Sequence, residues 1–221
     1  MIRALFVAAV LPLIALSAHA QETVIVQKRS AVVEESSSEH NRMGKKYVVA
    51  AQLFGVGVAQ GSGQGVVAGY HLDRNTVVQL EVLSGVRKDG IFENYELKTN
   101  SVGIHAKKFV SNSFYVNGGL DYSTIKYDND YIFTTSSNKD AYGFEATMLS
   151  AGFVIGNQWQ WESFTLGCDW VGLTLPLSHS ISSEYADASY TNAKKYNKED
   201  QDTLLANGSA QLLRFYVGAT F

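Results

Sequence analysis

Ser178-His179-Ser180, with Ser182 and Glu184 close behind, brings a hydroxyl, an imidazole and a carboxylate together. These are the parts of an acyl-transfer site. A working site also needs a group to orient the imidazole and donors for the oxyanion, and this Ser-rich stretch supplies neither, so no catalytic residue is assigned. His19, His40, His71, His105 and His179 are too scattered for metal-ligand spacing, and no metal or other cofactor is expected. Gly61-Ser62-Gly63-Gln64-Gly65 lacks the lysine and following helix of a phosphate loop and reads as a hairpin turn. Cys168 is the only cysteine, so no internal disulfide can form. What remains is a set of charged and titratable residues within the alternating segments: Glu81, His105, Lys107, Asp121, Glu145, Asp169 and Arg214.

The segments that carry those charges alternate. Leu213, Phe215, Val217, Ala219 and Phe221 share one parity, while Arg214, Tyr216, Gly218 and Thr220 share the other. Phe164, Leu166, Cys168 and Trp170 oppose Thr165, Gly167 and Asp169, and Phe114, Val116, Leu120 and Tyr122 oppose Asn117, Gly119, Asp121 and Ser123. The segments around Glu81 and His105 behave alike. A period of two marks strands with one apolar face. Eight strands are expected, over 46–59, 64–72, 76–88, 96–109, 114–127, 141–156, 162–177 and 209–221. Around Leu149 to Ile155 apolar residues fall on both parities, which a bulge or a misplaced boundary would explain. Short connections at 73–75, 110–113 and 157–161 alternate mostly with longer ones at 89–95, 128–140 and 178–208. That asymmetry, with 19 Gly and 12 Tyr against 2 Pro, suits a closed antiparallel up-and-down transmembrane β-barrel.

Other features point to the same place. Met1-Ile2-Arg3, an apolar run from Ala4 to Leu16 and the Ala18-His19-Ala20 triplet form a secretory leader over residues 1–20, cleaved after Ala20. Residues 21–45 read as a polar periplasmic lead-in and 46–221 as the barrel. Aromatic residues gather at two levels. Phe109, Phe114, Trp159, Trp161, Phe164 and Phe221 are expected at one rim, with Tyr95, Tyr127, Tyr131, Phe133 and Tyr142 at the other. Cys168 is expected to face lipid. A net charge of −3 and the absence of a basic stripe argue against nucleic-acid binding.

The terminal strand Arg214 to Phe221, apolar at alternate positions and ending in Phe, resembles the assembly signal of outer-membrane barrels. The resemblance implies that Phe215, Val217, Ala219 and Phe221 are read by the barrel-assembly machinery. With the strand pattern over 46–221, the chain is similar to the small eight-stranded OmpA-, OmpX- and OmpW-type group. That resemblance implies a bacterial outer-membrane site, periplasmic chain ends and lipopolysaccharide among the surrounding lipids. It fits a monomer without enzymatic activity, serving envelope integrity or surface interaction through its loops. An alternative that OmpW-type likeness implies is a narrow channel for small or hydrophobic molecules. Lipid-A deacylases share the barrel size and use a Ser/His/acid triad, which makes an acyl hydrolase a third and weaker reading.

The charged set is expected to face the barrel interior. An eight-stranded barrel has room for little but side chains, so these charges must pair. Asp169 and Arg214 lie at matching heights on neighbouring strands. Loop 178–208, the longest connection, is expected to be exposed, with a short helix over Lys198 to Leu205. Arg87, Lys88, Lys98, Lys126 and Lys139 are placed at the outer rim, where they could meet lipopolysaccharide phosphates.

Overall fold

The computed structural model describes residues 38–57, 63–89, 94–131, 140–186 and 192–221. The leader with Ala18 and Ala20, most of the lead-in, and Phe133 and Lys139 lie outside the described residues. Eight antiparallel strands close into one barrel in sequence order, with β8 pairing back onto β1. They are β1 (Tyr47–Gly57), β2 (Gln64–Asp73), β3 (Thr76–Asp89), β4 (Asn94–Phe109), β5 (Phe114–Tyr131), β6 (Asp140–Trp161), β7 (Phe164–Ala186) and β8 (Ser209–Thr220). No helix of the described residues is long and apolar enough to cross a membrane. The spanning elements are strands, and a closed ladder pairs their backbone groups around the ring without help from water.

The alternation read from sequence sorts the two faces. Leu80, Val82, Val102, Ile104, Leu120, Tyr122 and Phe153 are exposed on the outside. Gln79, Glu81, His105, Lys107 and Asn117 are buried inside. At the short-turn end, Tyr47 packs against Tyr70 and Phe221, and Trp161 stacks on Phe164, forming an exposed aromatic girdle.

Several expectations are corrected. The turn between β6 and β7 is Glu162–Ser163, so residues 157–161 belong to β6. β7 runs on to Ala186, and its Ser-rich half, expected as loop, is paired with β6 as far as Tyr142↔Ala186. Backbone pairing to β6 holds that segment, although its composition reads as loop. The strands therefore differ in length, from 10 residues in β2 to 23 in β7. At about 3.3 Å per residue, the β6–β7 side stands about 40 Å further along the strand direction than β2. A tall wall results at the loop end. The irregularity near Leu149 to Ile155 is real, but it lies in the β6–β7 pairing; the β5–β6 register is unbroken. A second irregularity sits at Leu213, whose φ of 52° is in the left-handed region rarely used by non-glycine residues. There Leu212 and Leu213 both face outward, while Arg214 stays inside.

Two short helical segments close the ends. At the turn end, α1 (Ser38–Arg42) lies where the sequence suggested a solvated lead-in. At the loop end, α2 (Ala193–Gln201) continues into a single π turn, Asp202–Ala206. The helix begins five residues before the expected Lys198, and Asn207 ends it in an extended conformation.

Candidate functional site

The barrel interior is the place where polar side chains converge. β3 carries Glu81, β7 carries Asp169 and β8 carries Arg214, and closure of the ring brings the three together across the lumen. Asp169 and Arg214 are direct register partners. Arg214 Nε donates to Asp169 Oδ2 at 2.5 Å, while its Nη1 and Nη2 donate to the two oxygens of Glu81 at 3.0 and 3.3 Å. Gln79 Nε2 donates to Glu81 Oε1 at 2.7 Å. Tyr115 donates to Asp169, and the Tyr216 hydroxyl lies 3.3 Å from that of Tyr115. Lys107 donates to Tyr216 Oη at 3.0 Å and Gln158 Oε1 at 3.2 Å, with its ammonium over both tyrosine rings. Each carboxylate thus meets a guanidinium, and the lysine meets π-faces and oxygens. Such partners are what make a buried charge tolerable.

His105 and Asp121 form a second pair, 2.9 Å apart. The inward position of neighbouring Gly119 makes room for it, since a Cβ there would come within 2.5 Å of His105 Nδ1. Gly167 does the same for Tyr216, whose ring would overlap any Cβ at that position. The cavity beside Gln52, Glu81, Lys107 and Tyr216 has a volume of about 10 Å³, room for about one water.

Of the residues singled out by sequence, the structure brings Glu81, Lys107, Asp169 and Arg214 together and sets His105 with Asp121 nearby. Glu145 does not join them. Phe144, Ala146 and Met148 take the inward parity of β6 at that height, so Glu145 faces outward and pairs with Lys126 at 2.9 Å. Cys168 keeps the outward parity, between Asn157 and Phe215 in register, yet is fully covered rather than exposed to lipid. Phe215, Val217 and Ala219 lie opposite in parity to the buried Arg214, Tyr216 and Thr220. The carbonyl of Phe221 accepts from the Lys46 and Tyr47 amides at 2.9 Å each, at the seam of the ring. Tyr115, Tyr216, Gln79 and Gln158 were not singled out, although strand parity alone would have placed Tyr115 and Tyr216 inside.

Both ends are stoppered. At the turn end, Arg42 is 1% exposed and stacks 3.7 Å from the centre of the Phe109 ring. Phe109 is therefore interior, not part of the girdle. Arg42 donates to the carbonyls of Arg74 and Asn112, while Asn41 and Ser38 bond to Gln160, so α1 ties two of the short turns to the end of β6. Burial lowers the Arg42 pKa to about 10. At the loop end, Leu205 and Ala193 are buried against Leu97, Ile125, Phe144 and Met148. Tyr95, Tyr127 and Tyr142 pack within this cluster instead of forming an outer girdle.

Ser178 and Ser180 share the outward parity of β7, His179 the inward one, and Glu184 accepts from Gln201 Nε2 at 3.0 Å. The would-be triad is dispersed over two faces of one strand. Among the described residues no group of His, Cys, Asp and Glu is arranged to hold a metal. On the outer face of β3 and β4, Lys88 and Lys98 both pair with Glu96 at 2.9 Å.

No protein-family model and no curated protein sequence matches the chain. Among solved structures it is similar to a major outer membrane protein of Thermus thermophilus, at 12% identity and a TM-score of 0.52, over 80% of this chain and 98% of that one. It is also similar to the attachment invasion locus protein Ail of Yersinia pestis (10% identity, TM-score 0.48, 81% and 100% covered). Neisserial surface protein A is similar as well (11% identity, TM-score 0.44, 79% and 96% covered). The fold is that of a small outer-membrane β-barrel.

Proposed function

We propose that this chain is a closed outer-membrane barrel that acts through the wall and lid it presents at the cell surface, and conducts no solute. The filled interior carries this reading. Arg214, bridging Glu81 and Asp169, occupies mid-barrel, and α1 and the α2 segment stopper the two ends. In this arrangement the short turns and both chain ends face the periplasm, as in bacterial barrels generally. The tall side of β5 to β7 then stands outside the cell. Surface interaction is favoured over a purely mechanical envelope role, because strand extending well past an apolar band of about 25 Å serves no spanning purpose. Phe215, Val217, Ala219 and Phe221 would present the outward ladder read by the assembly machinery. Lys88, Lys98 and Lys126 lie where lipopolysaccharide phosphates would meet a monomeric barrel.

Planar-bilayer recording tests the proposal. The purified full chain is expected to insert without steady conductance. Large, long-lived channels at neutral pH would overturn it in favour of the narrow-channel reading.

A further inference from the structure

At the loop end the protein fills a cup with its own chain. Leu97, Ile125, Phe144 and Met148 line the cup, and Leu205 of the lid is 0% exposed against them. At the rim, Asp200 accepts hydrogen bonds from the hydroxyls of Tyr127 and Tyr142, each 2.9 Å long. Asn129 Nδ2 donates to the same two hydroxyl oxygens at 3.1 and 2.9 Å, which strengthens both as donors. An aliphatic body joined to a carboxylate is thus the chemistry the cup already recognises. Deeper in, Thr99 Oγ1 and Ser150 Oγ are buried without a partner among the described residues. The cup is blind, because the Glu81–Arg214–Asp169 layer lies beneath it.

We infer that this cup is a binding site for a small monocarboxylate amphiphile, and that the α2 lid is its built-in competitor. The inference rests on the closed-barrel reading for its floor. The ligand carboxylate takes the place of Asp200 on Tyr127 and Tyr142, and its chain takes the place of Leu205. Since ligand and lid share one site, apparent affinity scales with the fraction of molecules whose lid is undocked.

Octanoate, titrated calorimetrically into the full chain in lipid nanodiscs, is the probe. Asp200→Ala with Leu205→Ala releases the lid and leaves every cup residue in place. Affinity for octanoate should then rise at least about tenfold over the unmodified protein. Adding Tyr127→Phe and Tyr142→Phe in that background should lower it again by at least about tenfold. Acetate and 1-octanol, each carrying half of the chemistry, should not saturate. A heat-modifiable gel shift shows that each variant is folded. Absence of saturable octanoate binding to the lid-released variant would overturn the inference. So would binding that ignores the two tyrosines, which would mean partition into an apolar surface. With silent bilayers, either result removes the ligand and leaves the closed barrel standing. Steady conductance removes the floor and both readings with it.

Discussion

Arg214→Met removes the cation that bridges the buried carboxylates of Glu81 and Asp169, and its cost can be worked from the contacts. Glu81 is 2% exposed and Asp169 1%, and Arg214 reaches them at 3.0 and 2.5 Å. Breaking a buried ion pair from one side costs about 3–5 kcal/mol. A ceiling follows from protonation, because an orphaned carboxylate can escape its charge by taking a proton. At pH 7 that costs an ordinary carboxyl group about 4 kcal/mol, and at pH 5 only about 1.4 kcal/mol. Two orphans therefore give a loss of about 4–8 kcal/mol at pH 7 and about 3 kcal/mol or less at pH 5. The sign is fixed: as pH falls, the variant regains stability relative to the parent, because its buried anions disappear. Denaturant unfolding in lipid vesicles, followed by the fluorescence of Trp159, Trp161 and Trp170, measures both values. Glu81→Gln with Asp169→Asn in the Arg214→Met background should recover most of the loss. A penalty under about 1 kcal/mol at pH 7, or one equal at the two pH values, would refute the bridging role assigned to Arg214.

Other perturbations probe the remaining layers. Gly167→Val should block the inward seat of Tyr216 and lower stability by several kcal/mol (about 3), and Tyr216→Ala should restore part of it; equal unfolding midpoints for both variants and the parent would contradict that packing. Arg42→Ala should cost about 2–3 kcal/mol through the lost carbonyl bonds and ring stacking. Hydrogen exchange should then quicken in residues 38–46 and not in β3 to β5, and uniform exchange across the barrel would argue against a local stopper.

Strand number, closure and the sense of each face were legible because a barrel in lipid imposes a period of two on every spanning segment. Phe221 and the alternation before it, the charges at Glu81, Asp169 and Arg214, and the short turns all follow from that period. Glu145 departs from that rule because the inward parity of β6 there is apolar, with Phe144, Ala146 and Met148 inside, while Lys126 meets the carboxylate on the outer face. Parity then loses its hydrophobic cue, because the polar residues no longer mark the lumen. The Ser-rich half of β7 was missed for a related reason: its pairing to β6 rests on backbone hydrogen bonds that composition does not report. Tyr127 and Tyr142 looked like a girdle because an aromatic residue near a rim can face lipid or lumen, and only the lid that covers them decides which. The sequence by itself determined the class of fold and, along the middle of the strands, which parity enters the lumen. Which of them touch, and that both ends are stoppered by helical segments, was decided by tertiary structure. Those contacts join residues far apart in the chain, such as Glu81 and Arg214 or Tyr127 and Asp200, and no local period encodes the register that brings them within reach.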